Sequence, residues 1–83
     1  MYRLIIERKA QREIESLPDK ILQNIINAIR GLTHTPRPQG VKKLMGNDSW
    51  RVRVNDYRVL YTIDDKNKVI AVYRVKHRKD AYR

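Results

Sequence analysis

From Trp50 to Val54 apolar and polar residues alternate strictly, the period-two pattern of a strand with one buried face. Asn55-Asp56 then offers a two-residue turn, since both residue types tolerate the positive φ that tight hairpins demand. If the turn pairs Val54 with Tyr57, then Arg53 lies opposite Arg58, Val52 opposite Val59 and Trp50 opposite Tyr61. One face of this hairpin carries Trp50, Val52, Val54, Tyr57, Val59 and Tyr61. The other carries Arg51, Arg53 and Arg58, with Leu60 beside them. Three guanidinium groups so close repel one another, and an anion would relieve the repulsion. The plainer alternative is a solvated sheet face that is merely basic, and the hairpin alone favours it.

The flanking segments supply the rest of a small domain. Tyr2 to Ile6 reads as a short strand. From Glu7 to Leu17 the period changes, with Ala10, Ile14 and Leu17 at helical spacing. Leu17-Pro18-Asp19 breaks that helix, because a proline disfavours the helical conformation of the residue before it. Ile21, Leu22, Ile25, Ile26, Ile29 and Leu32 then form the apolar stripe of a second helix over residues 19–32. Thr33 to Gly40 is a loop by composition and His34 within it a surface residue, while Val41 to Met45 is a short extended segment. Asp64 to Asn67 turns into a further strand, Lys68 to Val75, apolar enough on both faces for an interior place in the sheet. The expected fold is α+β: an N-terminal strand and two helices packed on an antiparallel sheet of three to four strands, in a single domain spanning residues 1–83.

Charge narrows the function. Nineteen Lys and Arg against nine Asp and Glu leave a formal +10 on 83 residues, a balance suited to nucleic acid or to an acidic protein segment. The absence of cysteine excludes disulfides and thiolate metal sites, and His34 and His77 lie too far apart in sequence to suggest a zinc site. No cofactor or metal is expected. With no long apolar run and no charged-then-apolar leader, the expectation is a soluble intracellular protein that does not engage membranes. Phenylalanine is absent, so the stacked aromatic platform of RNA-recognition motifs has no counterpart. Lys42 and Lys43 read equally as solubility charges or as phosphate contacts.

Three segments, Val41 to Leu44, Trp50 to Tyr61 and Val75 to Arg83, together with the order of elements and the charge, resemble the RelE/ParE toxin superfamily along essentially the whole chain. That resemblance implies the toxin half of a prokaryotic, cytoplasmic type II toxin–antitoxin pair. Its expected partners are a cognate antitoxin with an acidic or amphipathic segment, messenger RNA on the ribosome, and ribosomal RNA. RelE-like members cut messenger RNA in the ribosomal decoding site, whereas ParE-like members inhibit DNA gyrase. The RelE-like active site maps here onto Arg51, Arg53, Arg58, Arg78 and Tyr82, a full set that gyrase-directed relatives generally lack. Lys42, Lys43, Lys76, Lys79 and Arg83 are the expected RNA and ribosome contacts. Three features depart from the pattern. Arg51 and Arg53 stand where lysine is frequent, Lys76 replaces a common glycine, and the interval from Arg78 to Tyr82 is short.

Metal-independent RNA cleavage proceeds by attack of a ribose 2′-hydroxyl on the adjacent phosphate. It requires in-line orientation, stabilisation of added negative charge, and two proton transfers. The four arginines suit the second task, since a guanidinium presents a planar fork to phosphate oxygens but cannot deprotonate usefully near neutral pH. Tyr82 suits base stacking or proton carriage. His77 is the only imidazole near these residues in sequence. Strand alternation points it away from Arg78, leaving proton transfer and a rim contact as its two readings.

Overall fold

The computed structural model describes residues 1–44 and 48–79. In chain order it contains β1 (Arg3–Ile6), α1 (Arg8–Glu15), α2 (Asp19–Leu32), β2 (Lys42–Lys43), β3 (Ser49–Val54), β4 (Tyr57–Asp64) and β5 (Val69–His77). The strands form one sheet in the order β1-β5-β4-β3-β2. The α+β class agrees with the sequence. The sheet itself is larger and mixed, with five strands, because β1 joins its edge in parallel with β5, Arg3 opposite Val69 and Ile6 opposite Val72. Among the described residues no helix is long and apolar enough to cross a membrane.

The β3–β4 register is the one the alternation dictates: Trp50 pairs with Tyr61, Val52 with Val59, Arg53 with Arg58 and Val54 with Tyr57. Asn55 takes up the positive backbone angle of the turn, at φ 55°. Its side-chain oxygen accepts a 3.0 Å hydrogen bond from Asn24 Nδ2 on α2, which ties the turn to the helix layer. The N–H of Arg78 donates to Asp56 O at 2.7 Å, bringing the end of β5 against the same turn.

Both helices cover one face of the sheet. Ala10 and Ile14 from α1 and Ile25, Ile29 and Leu32 from α2 meet Val59, Tyr61, Ile63, Ile70, Val72 and Val75 in a single core. Trp50, Val52, Val54 and Tyr57 pack partly buried against it. The helix limits have local causes. Ser16 Oγ bonds back to Glu13 O at 2.8 Å and caps α1, whose last residue is Glu15, two short of Leu17. Pro18, extended at φ −59° and ψ 149°, then caps α2 with Asp19 in its first turn, where a carboxylate favours the helix dipole.

One interaction of the fold is not visible in the sequence. The β4–β5 register slips between Leu60 and Tyr61, so that Leu60 pairs with Arg74 and Tyr61 with Val72. Tyr73 is therefore the extra residue of a bulge, a feature that re-aims side chains. Arg74 grips Glu13 of α1 through Nε and Nη2 at 2.9–3.2 Å, and the same carboxylate accepts the Val75 N–H at 2.8 Å. Glu13 thus locks α1 onto the bulge.

Three substitutions test this account by chemical denaturation. Val59→Asp buries an unpaired charge at a fully enclosed site and is expected to cost about 4 kcal/mol or more. Glu13→Ala removes the partner of Arg74 and of a backbone N–H together, an expected loss of about 1–3 kcal/mol. Arg53→Ala, exposed on the opposite face, should leave the midpoint nearly unmoved. The reverse ranking would mean that the register is off by one residue.

Candidate functional site

Cross-strand partners in an antiparallel ladder project to the same side, so the sheet face away from the helices can be read row by row. Arg53, Arg58 and Lys76 form one row across β3, β4 and β5. Lys42, Arg51 and Leu60 form the next across β2, β3 and β4. Arg51, Arg53, Arg58 and Lys42 line a cleft of about 360 Å³ together with Gly40. Gly40 has φ 88°, a conformation that strains any residue with a Cβ, and it lets the loop after α2 turn past the arginines into β2.

The three arginines differ in environment. Arg53 is exposed and Arg51 half-buried, whereas Arg58 is only 3% exposed. Burial of Arg58 is the main departure from the sequence reading, which placed it beside the other two on an open face. It stems from Arg58's place on the middle strand of the ladder, with Arg53 to one side and Lys76 to the other. Its Nη1 lies 3.4 Å from the carbonyl oxygen of Arg78, a long contact that nevertheless sets the chain after β5 beside the cleft. Like charges directly opposite one another in a sheet destabilise it. A bound polyanion reverses the sign of that term, and the fork geometry of the guanidinium suits phosphate oxygens.

The remaining sequence candidates divide. Lys76, which stands where the family pattern has a glycine, lies within β5 opposite Arg58. Arg78 and Lys79 are exposed in the turn that follows. His77 pairs with Tyr57 on the helix side of the sheet, their rings edge-on at 5.1 Å, and its Nδ1 accepts the Lys79 N–H at 3.2 Å. It lines a different cleft with Glu13 and Leu17 and does not join the arginines. Lys43 is likewise turned away from Lys42, with its ammonium 5.8 Å from the Trp50 ring. Tyr82 and Arg83 lie outside the described residues.

Sequence reasoning missed the anchoring of the loop over residues 33–41, which contributes Gly40 to the cleft. Tyr61 Oη donates to Pro36 O at 2.7 Å, and burial pushes its phenol up to about 12, keeping it a donor. Arg37 forks onto Asp65 in the β4–β5 turn at 2.8 and 3.4 Å, while Tyr2 Oη donates to the same carboxylate at 2.5 Å. The available signal was Pro36-Arg37-Pro38, a cation held between two residues of fixed φ.

Two helices on a five-stranded mixed sheet is the fold of solved RelE toxins. The crystal structure of the archaeal RelE–RelB complex from Pyrococcus horikoshii OT3 superposes with a TM-score of 0.85 at 32% identity, covering 93% of this chain and 94% of that one. Toxin RelG of Mycobacterium tuberculosis is 36% identical over 78 residues, covering 89% of this chain and 87% of the relative. Toxin RelE of the same organism is 31% identical over 86 residues, covering 99% and 87%. Residues 4–82 match the family described as the ParE toxin of the type II toxin–antitoxin system parDE. The chain belongs to that family, and it is a type II toxin of the RelE/ParE superfamily.

The loop anchor carries a pH signature. Asp65, ordinarily near 3.8, is held at about 2 by the hydrogen bond from Arg37 and then by that from Tyr2. A depressed carboxyl stabilises the fold above its unfolded value, so this contribution is complete above about pH 4 and disappears as the pH falls through 2. Thermal melts across that window should show a flatter acid limb for Asp65→Asn than for the parent. Superimposable limbs would mean that the anchor does not hold in solution.

Proposed function

We propose that this toxin is an endoribonuclease that cleaves messenger RNA in the decoding site of the ribosome by 2′-hydroxyl attack, and so stops translation in the prokaryotic cytoplasm. The observation that carries this reading is the cleft in which Arg51, Arg53, Arg58 and Lys42 converge, with the Arg78 backbone against Arg58. Four cationic groups around one space can hold a phosphate diester and take up the charge that develops as the 2′-oxygen adds. Arg51, Arg53 and Arg58 do this by fork-shaped donation to the non-bridging oxygens, and Arg78 completes the set from the turn after β5. Lys42 and Lys76 extend the field along the bound strand, Lys43 and Lys79 contact RNA outside the cleft, and Arg83 is a further RNA contact. Tyr82 supplies stacking or a proton. The described part of the cleft holds no side chain suited to general base catalysis, so it works by charge stabilisation and depends on a ribosome that presents the strand already splayed.

Single-turnover cleavage on programmed ribosomes tests this. Arg53→Ala and Arg78→Ala should each slow cutting about tenfold or more, while ribosome binding falls much less, since many other cations still hold the ground state. Arg12→Ala on the exposed side of α1 makes the same change in charge and serves as the control. Tyr82→Phe keeps a stacking role and abolishes proton transfer.

The family match to the ParE toxin favours a second reading, a gyrase inhibitor without nuclease chemistry. A plasmid supercoiling assay separates the two: gyrase inhibition without RNA cleavage in a translating extract would replace the first reading with the second.

Under either reading the partner that silences this toxin is an antitoxin whose binding segment is acidic and amphipathic, complementary to a net charge of +10. The archaeal neighbour was solved as a complex of RelE with RelB. Association should slow as salt screens the opposite charges, and a co-encoded protein whose binding rate ignores ionic strength would contradict this.

A further inference from the structure

Arg37 is held more firmly than its exposed loop position requires. Pro36 and Pro38 fix the backbone on either side, and Tyr61 Oη clamps the Pro36 carbonyl at 2.7 Å. The guanidinium lies over the Trp50 ring, its Cζ 4.9 Å from the centroid. In its own plane it forks onto Asp65, which Tyr2 fixes in turn. An exposed ion pair alone stabilises little, which gives no reason for the indole beneath or for the second anchor on the carboxylate.

This arrangement makes a rigid planar cation with one face supported, while the side chain remains 42% exposed. It opens on a cleft of about 570 Å³ that Lys43, Lys66 and Asp48 also line. Two other carboxylates of the cleft are already engaged: Asp65 as described, and Asp64 by Asn67 at 2.9 and 3.0 Å. That leaves Lys43 and Lys66 as cations for flanking phosphates, with Asp48 as an acceptor for a base N–H. Unstacked bases in single-stranded RNA are held by stacking on guanidinium planes and aromatic rings beside such cations. We infer that Arg37, supported on Trp50, is a stacking subsite for an unpaired RNA base, separate from the arginine cleft.

Strand β2 connects the two sites. Lys42 pairs with Arg51 on the open face and Lys43 with Trp50 on the other, so one RNA strand rounding this edge meets a lysine of β2 on each side. The inference rests on RNA as the substrate class, but a binding measurement tests it without cleavage.

Trp50 is the only tryptophan of the chain and reports on the subsite. Titration with a short unstructured oligoadenylate at low salt should change Trp50 emission in step with binding. Arg37→Lys keeps the charge and loses the plane, and should weaken binding about tenfold; Arg37→Gln should do no better. On ribosomes, Arg37→Lys should raise the half-saturating concentration while leaving the rate at saturation unchanged. Thermal melts confirm that the variants fold. Arg37→Lys binding as tightly as the parent overturns the subsite, reducing Arg37 to a charge contact or a loop anchor. A parent that cleaves on ribosomes but shows no emission change with the oligomer overturns this inference alone. Oligomer binding and emission change without cleavage would support the subsite and count against the nuclease reading.

Discussion

The pairing of β3 with β4 is the constraint on which the remaining structure depends. Period-two alternation leaves one register in which Val52, Val59, Trp50 and Tyr61 all face the helices. That same register forces Arg51, Arg53 and Arg58 onto the other side. Core and cationic face are therefore one decision and not two. A slip of one residue would bury three guanidiniums and expose the apolar set, at a cost exceeding the stability of a domain this small. Everything else attaches to this ladder. The helices close over its apolar side, β5 extends it by carrying Lys76 beside Arg58, and β2 extends it at the far edge with Lys42 beside Arg51.

The arrangement has a tension built in. A row of Arg53, Arg58 and Lys76 repels itself, and Arg58 is nearly removed from water, which is costly for a group that stays ionised. The core on the reverse side has to offset that cost, and the fully enclosed Val59 and Tyr61 lie on the same strand as Arg58. The second cationic position of β5, Arg74, is resolved differently. Arg74, beside the bulge at Tyr73, gives its guanidinium to Glu13, so it serves packing instead of adding to the field. Arg58 and Arg74, the partner of Leu60, thus end in opposite roles: Arg58 lines the cleft and Arg74 holds Glu13.

What the sequence made legible follows from which interactions are local. The Asn55 turn, the β3–β4 register and the limits of α2 depend on near neighbours and on periodicity, and they were readable residue by residue. The placement of Arg51, Arg53 and Arg58 on one face followed from strand pairing, whereas Lys42 joins them through the pairing of β2 with β3, which the sequence did not reveal. Features that depend on distant contacts were not readable. β1 joins β5 across more than sixty residues of sequence, from Arg3 to Val69. The bulge cannot be counted from alternation, because Tyr73 and Arg74 fit either face. Arg58 and Arg53 look alike as letters, and only the position of β4 inside the sheet separates a buried cation from an exposed one. His77 was half legible: alternation turned it from Arg78, and its pairing with Tyr57 explains why.

That placement of His77 bears on mechanism. An imidazole beside the scissile phosphate would let this protein carry both proton transfers itself, and a cleft so equipped could act on free RNA. Here the imidazole lies across the sheet with Tyr57, and the described lining of the cleft offers guanidiniums and an ammonium, all donors. Donors of fixed charge stabilise a phosphorane-like state but neither choose nor align the nucleophile. If RNA is the substrate, as proposed, the described cleft leaves alignment to the way the strand is presented. Under the proposed nuclease reading, a strand held splayed in the ribosome would arrive with the 2′-hydroxyl near in line, so orientation would come from the substrate's surroundings and charge stabilisation from the toxin. A cleft of this composition suits phosphates without reading much sequence. Its discrimination lies in geometry, because fork donors recognise phosphates wherever they occur.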